Sequence, residues 1–340
     1  MAARDSKEEY EIAWQQTLVR VEAYINAGET DPAKIVKAVF KDEIVALAET
    51  PEFAPYQPRA GGHLGVNRGA YVAASASALQ EHANLIRAMV EFIRSEMPDL
   101  DAIVELGAGT GYNLFLLRDE LRDEQFRSIS YYACEYTETG QEVCKRLCAV
   151  GGVMNVYVHY FDYKRPELGF LTGSDNVLFF TCHSIEQMTC LPQTVIEEML
   201  RRSSKAACFH FEPVGWQSDP ALLAERDVRD RRFGSLSDVV YKTGWRLWAL
   251  RLRLQRILGS PYKGARGINP KDVTVGDSRN VSRNAGIWSG LRNYNKNLIP
   301  LLTEMERRGR IRLFRFDINC SGSNPFNPSS LLAWRKVERE

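Results

Sequence analysis

The sequence predicts an α/β protein built on a doubly wound, mostly parallel sheet. Three observations carry this. A strand runs directly into alternating glycines in "IVELGAGTGYN", residues 103–113. From there strand-like and helix-like stretches alternate as far as residue 212, the pattern of parallel strands joined by crossover helices. Several of the strands ("NVLFF", "AACFHF") are almost wholly apolar, as burial on both sheet faces requires.

Taken in order, residues 7–49 read as two helices. The first places Ile12, Leu18, Val21 and Ile25 near one face, and the second opens with Asp31 before Pro32, an N-cap followed by a first-turn proline. Residues 50–69, dense in Pro and Gly, read as a loop, and 70–97 as one long helix ending at Pro98. Strands are expected at 101–106, 128–134, 155–160, 176–182 and 206–212, with helices at 112–123, 138–149 and 190–203. Residues 216–292 are too long for an ordinary connection and form a helical insertion. Its stretch "GWRLWALRLRLQRILG" sets Arg246, Arg251, Arg253 and Arg256 among Trp and Leu. That pattern fits an amphipathic helix with snorkelling arginines better than a membrane-surface or nucleic-acid helix. A last helix over 294–309 precedes "RIRLFRFDIN" and "LLAWRKV", two successive strands that read as a hairpin at the sheet edge.

The 340 residues suit a helical cap (1–70) and one larger domain (71–340) carrying the insertion at 216–292. With 44 basic and 43 acidic side chains the net charge is +1, which provides no global field to attract nucleic acid. The charged opening "MAARDSKEEYEIAWQQ" lacks the apolar core of a signal peptide, and no stretch approaches the length of a membrane span. Seven scattered cysteines with no CxxC pair fit buried thiols in a reducing, cytoplasmic setting. Cys144 and Cys148, four apart on a helix, read as core packing, and no metal site is expected.

Gly107, Gly109 and Gly111 form G-x-G-x-G after a strand, two residues beyond Glu105. Glycine is required where the backbone takes positive φ or lies close to a ligand. A dinucleotide fingerprint would need Gly at 112, where the sequence has Tyr112. "VELGAGTGYN" resembles instead motif I of the class I S-adenosylmethionine-dependent methyltransferases. The resemblance extends over about 101–214 and, less specifically, to the closing hairpin. It implies a seven-stranded Rossmann-like methyltransferase fold and S-adenosylmethionine as cofactor. It further implies that Glu135, ending "YYACEY", takes the ribose hydroxyls, that Asp162 accepts from the adenine amino group with Phe161 stacking, and that Glu105 attends the methionine amino group. Gly107, Ala108, Gly109, Gly111, Asn113 and Tyr136 complete the expected cofactor surface. Above it, Tyr56, Arg59, His63 or Tyr71 of a glycine-rich segment can reach over the cofactor as a lid.

The substrate is expected at the carboxyl ends of the fourth and fifth strands, "FFTCHSIEQM" and "FHFEPVGW". Glu186 and Glu212 there form a candidate carboxylate pair for an amine or guanidine such as arginine, with His183 in support. Arginine N-methyltransferases use paired glutamates in this general way, although both follow their fourth strand; Glu197 or Glu198 is an alternative second member. The competing reading is O-methylation of a hydroxylated metabolite or sugar, with His183 as general base. Asn324, Asn327 and Ser329 of the closing hairpin are candidate substrate ligands under either. A non-catalytic, methyltransferase-like scaffold is disfavoured by the intact glycines and Glu135, and a nucleic-acid methyltransferase by the lack of a D/N-P-P-Y/F motif after the fourth strand. The expected partner is a small polar substrate, without nucleic acid or a membrane span, and a homodimer stays open.

Overall fold

The structure, a computed structural model, describes residues 7–48, 64–73, 77–172, 175–233, 278, 280–322 and 324–338. The basic stretch with Arg246, Arg251, Arg253 and Arg256, and the lid candidates Tyr56, Arg59 and His63, lie outside them. In chain order the helices are α1 (Lys7–Asn26), α2 (Pro32–Ala48), α3 (Ser77–Glu96), α4 (Tyr112–Glu120), α5 (Glu138–Val150), α6 (Gln193–Arg202), α7 (Pro220–Phe233), α8 (Val281–Arg292) and α9 (Leu298–Arg307). The strands are β1 (Leu64–Asn67), β2 (Ala70–Ala73), β3 (Ala102–Leu106), β4 (Ser130–Glu135), β5 (Val156–Tyr160), β6 (Asn176–Cys182), β7 (Lys205–Glu212), β8 (Ile311–Gly322) and β9 (Ser329–Lys336). No described helix is long and apolar enough to cross a membrane.

The nine strands among the described residues form one sheet in the order β2-β1-β8-β9-β7-β6-β3-β4-β5. The run β5-β4-β3-β6-β7 is parallel throughout. β9 lies antiparallel between β7 and β8. The parallel run follows the 3-2-1-4-5 order of doubly wound nucleotide-binding sheets. The fold is Rossmann-like. Its helices cover both faces: Val36, Met89, Leu114 and Val143 from α2–α5 pack on one, Ile196, Met199, Leu302 and Met305 from α6 and α9 on the other.

Among the described residues the sheet has nine strands where seven were expected, because residues 64–73 form a hairpin on the free edge of β8. Residues 70–73, expected as helix, are its second strand, and α3 starts at Ser77. The turn explains the difference: Arg68 and Gly69 both take positive φ, 48° and 75°, which a two-residue hairpin turn requires and a helix forbids. Tyr71, a lid candidate, is fully buried in β2, where its hydroxyl accepts from Asn284 Nδ2 of α8 at 2.9 Å. At α2 the expected cap is present, with the Ala33 N–H donating to Asp31 Oδ1 at 2.9 Å.

Candidate active site

The crevice of a doubly wound sheet lies where the chain reverses direction across it, between β3 and β6. Their carboxyl ends meet closely: a Cβ on Gly107 would collide with the Ser184 side chain. Ser184 Oγ and Tyr163 Oη both donate to the Leu106 carbonyl, at 2.9 and 2.7 Å, and fix this junction.

Gly107, Gly109 and Gly111 all have left-handed φ (71°, 54° and 74°), which glycine adopts without strain. Four of the turn's N–H donors are engaged at β4 or within the turn. Gly107 N–H and Ala108 N–H donate to the Cys134 carbonyl, Gly111 N–H to Ala108, and Gly109 N–H to Glu135 Oε2 at 2.7 Å. At the N-terminus of α4, Glu105 Oε2 accepts the Leu114 N–H at 3.2 Å and Oε1 accepts from Asn113 Nδ2. A pyrophosphate needs free donors at this helix end. Here a carboxylate stands in that place.

Burial pushes the Glu105 carboxyl up to about 8, against the hydrogen bonds from Asn113 and Leu114. Asn113 is oriented in turn by His82, whose Nδ1 lies 2.7 Å from its Oδ1. Glu135, ending β4, is raised by burial too, while Thr137 and Gly109 donors favour its ionised form. Its Oε1 accepts from both the Thr137 N–H (2.9 Å) and Oγ1 (2.6 Å), and Thr137 Oγ1 also caps α5 by accepting from Gly140 N–H. Tyr136 follows at the strand end with its ring 5.8 Å from that of Tyr160. Phe161 is buried against the edge of Tyr163, at 5.0 Å between centroids. Asp162 forms a turn by accepting the Lys164 N–H at 2.8 Å.

At the substrate end the structure ties five of the six candidates into one network. His183 has a left-handed φ of 53° directly after β6, a strained conformation for a residue with a side chain. Its Nε2 lies 2.6 Å from Ser329 Oγ and its Nδ1 3.3 Å from Glu186 Oε2. Glu186 Oε2 also accepts from Asn327 Nδ2 at 3.0 Å, and Oε1 from Gln187 Nε2 at 2.7 Å. Glu212 is fully buried below, with Oε1 accepting the N–H groups of Ser184 and Ile185 and Oε2 that of Glu186. Burial pushes its carboxyl up to about 7, although the neighbouring His183 favours the charged form.

Glu212 therefore holds the turn that carries Glu186, and the two carboxylates do not face one cation as a free pair. Glu197 and Glu198 offer no substitute. Glu197 lines a cavity with Lys205, at the start of β7, which is the opposite end of the sheet from Glu212. Glu198 is paired with Arg201 and Arg202. Asn324 shapes the hairpin turn by accepting the Phe326 N–H, while Asn327 and Ser329 reach Glu186 and His183. Cys144 is buried and donates to the Gly109 carbonyl at 3.6 Å.

Sequence reasoning missed His82, Thr137, Ser184 and Trp14. Only Thr137 carried a local sign, a threonine immediately before an acidic first turn. The others come from elements whose approach to the turn no spacing encodes.

No protein-family model matches the chain, and no curated protein does. Solved structures similar to it include the N-terminal domain of EvdMO1 in the presence of SAH and D-fucose, with 15% identity over 76% of this chain and 84% of that one and a TM-score of 0.38. Magnesium protoporphyrin IX methyltransferase (ChlM) from Synechocystis PCC 6803 with bound SAH has 9% identity over 76% and 84%, at a TM-score of 0.39. Cofactor-bound Rv0187 from MTB has 12% identity over 88% and 91%, at a TM-score of 0.37. At such identities, and with TM-scores below 0.5, these likenesses say nothing about which residues act.

Proposed function

We propose that the protein is an S-adenosylmethionine-dependent methyltransferase acting on a small polar acceptor, with His183 as general base. One observation carries the cofactor assignment: four N–H groups of the glycine turn are engaged at β4 or within the turn, and Glu105 stands at the N-terminus of α4 and accepts its Leu114 N–H. A buried acid in that place suits a cofactor with an ammonium group and no phosphate. Glu135 supports the same reading, because its Oε2, held at the end of β4 by the Gly109 N–H, can also accept a ribose hydroxyl. When bound, the cofactor supplies an electrophilic sulfonium methyl group. The chain must then align a nucleophile and take its proton.

The His183 network fits that task. Glu186 beside Nδ1 favours the tautomer with its proton there, which leaves the Nε2 lone pair facing Ser329 Oγ; this assignment follows from the partners. Ser329 is buried and the His183 ring part-exposed, so a substrate hydroxyl gives up its proton to Nε2 directly, taking the place of the bond to Ser329. Because Glu212 is held by three backbone N–H groups, we favour a hydroxyl acceptor over the amine or guanidine that a free carboxylate pair would bind. Binding of S-adenosylhomocysteine (SAH) by calorimetry, followed by transfer of labelled methyl from S-adenosylmethionine to a panel of sugars, alcohols, amines and guanidines, tests both parts. Binding of NAD in place of SAH overturns the cofactor reading. Label entering only nitrogen acceptors overturns the hydroxyl reading.

A further inference from the structure

We propose that α1 is a wall of the cofactor site and that Trp14 contacts the bound cofactor beside the glycine turn. The inference rests on the cofactor reading above. Trp14 stands directly on the turn: a Cβ built on Gly109 would lie 2.8 Å from its Cζ2 and 3.3 Å from its Cη2. Gly109 is also the residue whose N–H holds Glu135, so the indole borders the acid expected at the ribose. Three residues earlier on α1, Glu11 occupies the N-terminus of α5. Its Oε1 accepts the Glu138 N–H at 2.8 Å, and its Oε2 accepts the Thr139 N–H at 3.0 Å and Thr139 Oγ1 at 2.6 Å. A carboxylate at a helix N-terminus is a favourable anchor. Lys7 completes the row, 5.4 Å from the centre of the Tyr136 ring and 3.8 Å from Glu138.

The far end of α1 is tied to the same helix, where Arg146 Nε and Nη2 donate to the two Glu22 oxygens at 2.6 and 3.0 Å. Between these anchors Val21 is buried in the main core. A helix anchored at both ends and packed in its middle is a built wall and not a plug that binding must expel. Its placement gives Trp14 a flat apolar face beside Glu135, suited to the adenosine half of the cofactor, and Glu11 the role of a positioning residue that holds α1 on α5.

The test measures SAH affinity and release rate for the full chain and for Trp14→Ala, Trp14→Phe, Glu11→Gln and Gly109→Arg, each checked for folding by circular dichroism. Trp14→Ala is expected to weaken SAH binding about tenfold, mainly through faster release, and Trp14→Phe to restore most of it. Glu11→Gln should speed release by a smaller factor. Unchanged or tighter binding by Trp14→Ala, with Gly109→Arg unable to bind, overturns the wall and leaves the cofactor reading intact. Failure of the unaltered protein to bind SAH overturns both.

Discussion

The carboxylate of Glu212 accepts the backbone N–H of Ile185 at 3.1 Å, across from the neighbouring strand end. Strand β7 thereby holds the turn on which Glu186 and, three residues before it, His183 are displayed. Replacing Glu212 by Gln puts an amide NH₂ where an acceptor is needed. Unfolding in urea should show a loss of about 1–3 kcal/mol, the cost of leaving a buried donor unmet. A variant of unchanged stability whose KM alone rises steeply would instead give Glu212 a direct hold on a cationic substrate.

At His183 the base and the backbone make separable demands. Loss of the ring in His183→Ala should lower kcat by about 10²–10⁴-fold, the usual worth of general-base catalysis. Glu186→Gln should cost less, since it leaves the ring in place. His183→Gly should be as inactive as His183→Ala yet about 1 kcal/mol more stable, because both lack the ring and only glycine adopts the φ of 53° without strain. Equal stabilities in a thermal melt would remove the strain.

His210 sets an acid limit on stability. Burial pushes it down to about 3, and its Nε2 accepts from Trp334 Nε1 at 3.0 Å, so the ring stays neutral in the folded chain. The unfolded chain protonates near the ordinary value of 6.5. The stabilising contribution is therefore complete above that pH and is lost progressively as pH falls from there toward 3. Stability measured between these limits should fall less steeply in His210→Gln than in the native chain. Parallel profiles would mean that other groups govern acid unfolding.

Glu105 has the opposite sign. Burial raises its folded value to about 8 from 4.5, so its proton favours the folded state at low pH and that contribution disappears as pH rises through 8. A cofactor ammonium group paired with Glu105 requires the ionised carboxylate, so binding should release a proton near neutral pH and affinity should rise with pH up to about 8. Calorimetry of SAH in buffers of different ionisation enthalpy reads this directly. Glu105→Gln should abolish the dependence on buffer, and a native chain that already lacks it would separate Glu105 from the cofactor.

The parallel core was legible because each strand is a short apolar run followed by a helix-period stretch; β3, β6 and β7 fall within a residue of their expected bounds. The glycines at 107, 109 and 111 were legible because glycine takes their left-handed backbone angles without strain. The β1–β2 hairpin was not, since "GVNRGAYVAA" is also compatible with a loop leading into a helix, and pairing with residues 321–322 decides between them. At the substrate end, the local sequence located Glu186 and Glu212 at adjacent strand ends but not the direction of their oxygens. That direction depends on three N–H groups turning down toward Glu212, a tertiary fact with no counterpart in spacing.

The pairing of Val66 with Gly322 also bears on how the chain comes to be folded. The hairpin emerges early in synthesis, but the edge it docks on is made only near the end. Strand β7 likewise waits for its partner, since Phe211 pairs with Leu331. A nascent chain can assemble β3 to β6 with their helices while both the hairpin and the outer side of β7 still expose unpaired backbone. Such contacts between distant parts of the chain are slow to form and open to aggregation meanwhile. Loss of β9 alone would make that transient condition permanent, with β7 and β8 both left as bare edges on either side of a missing strand.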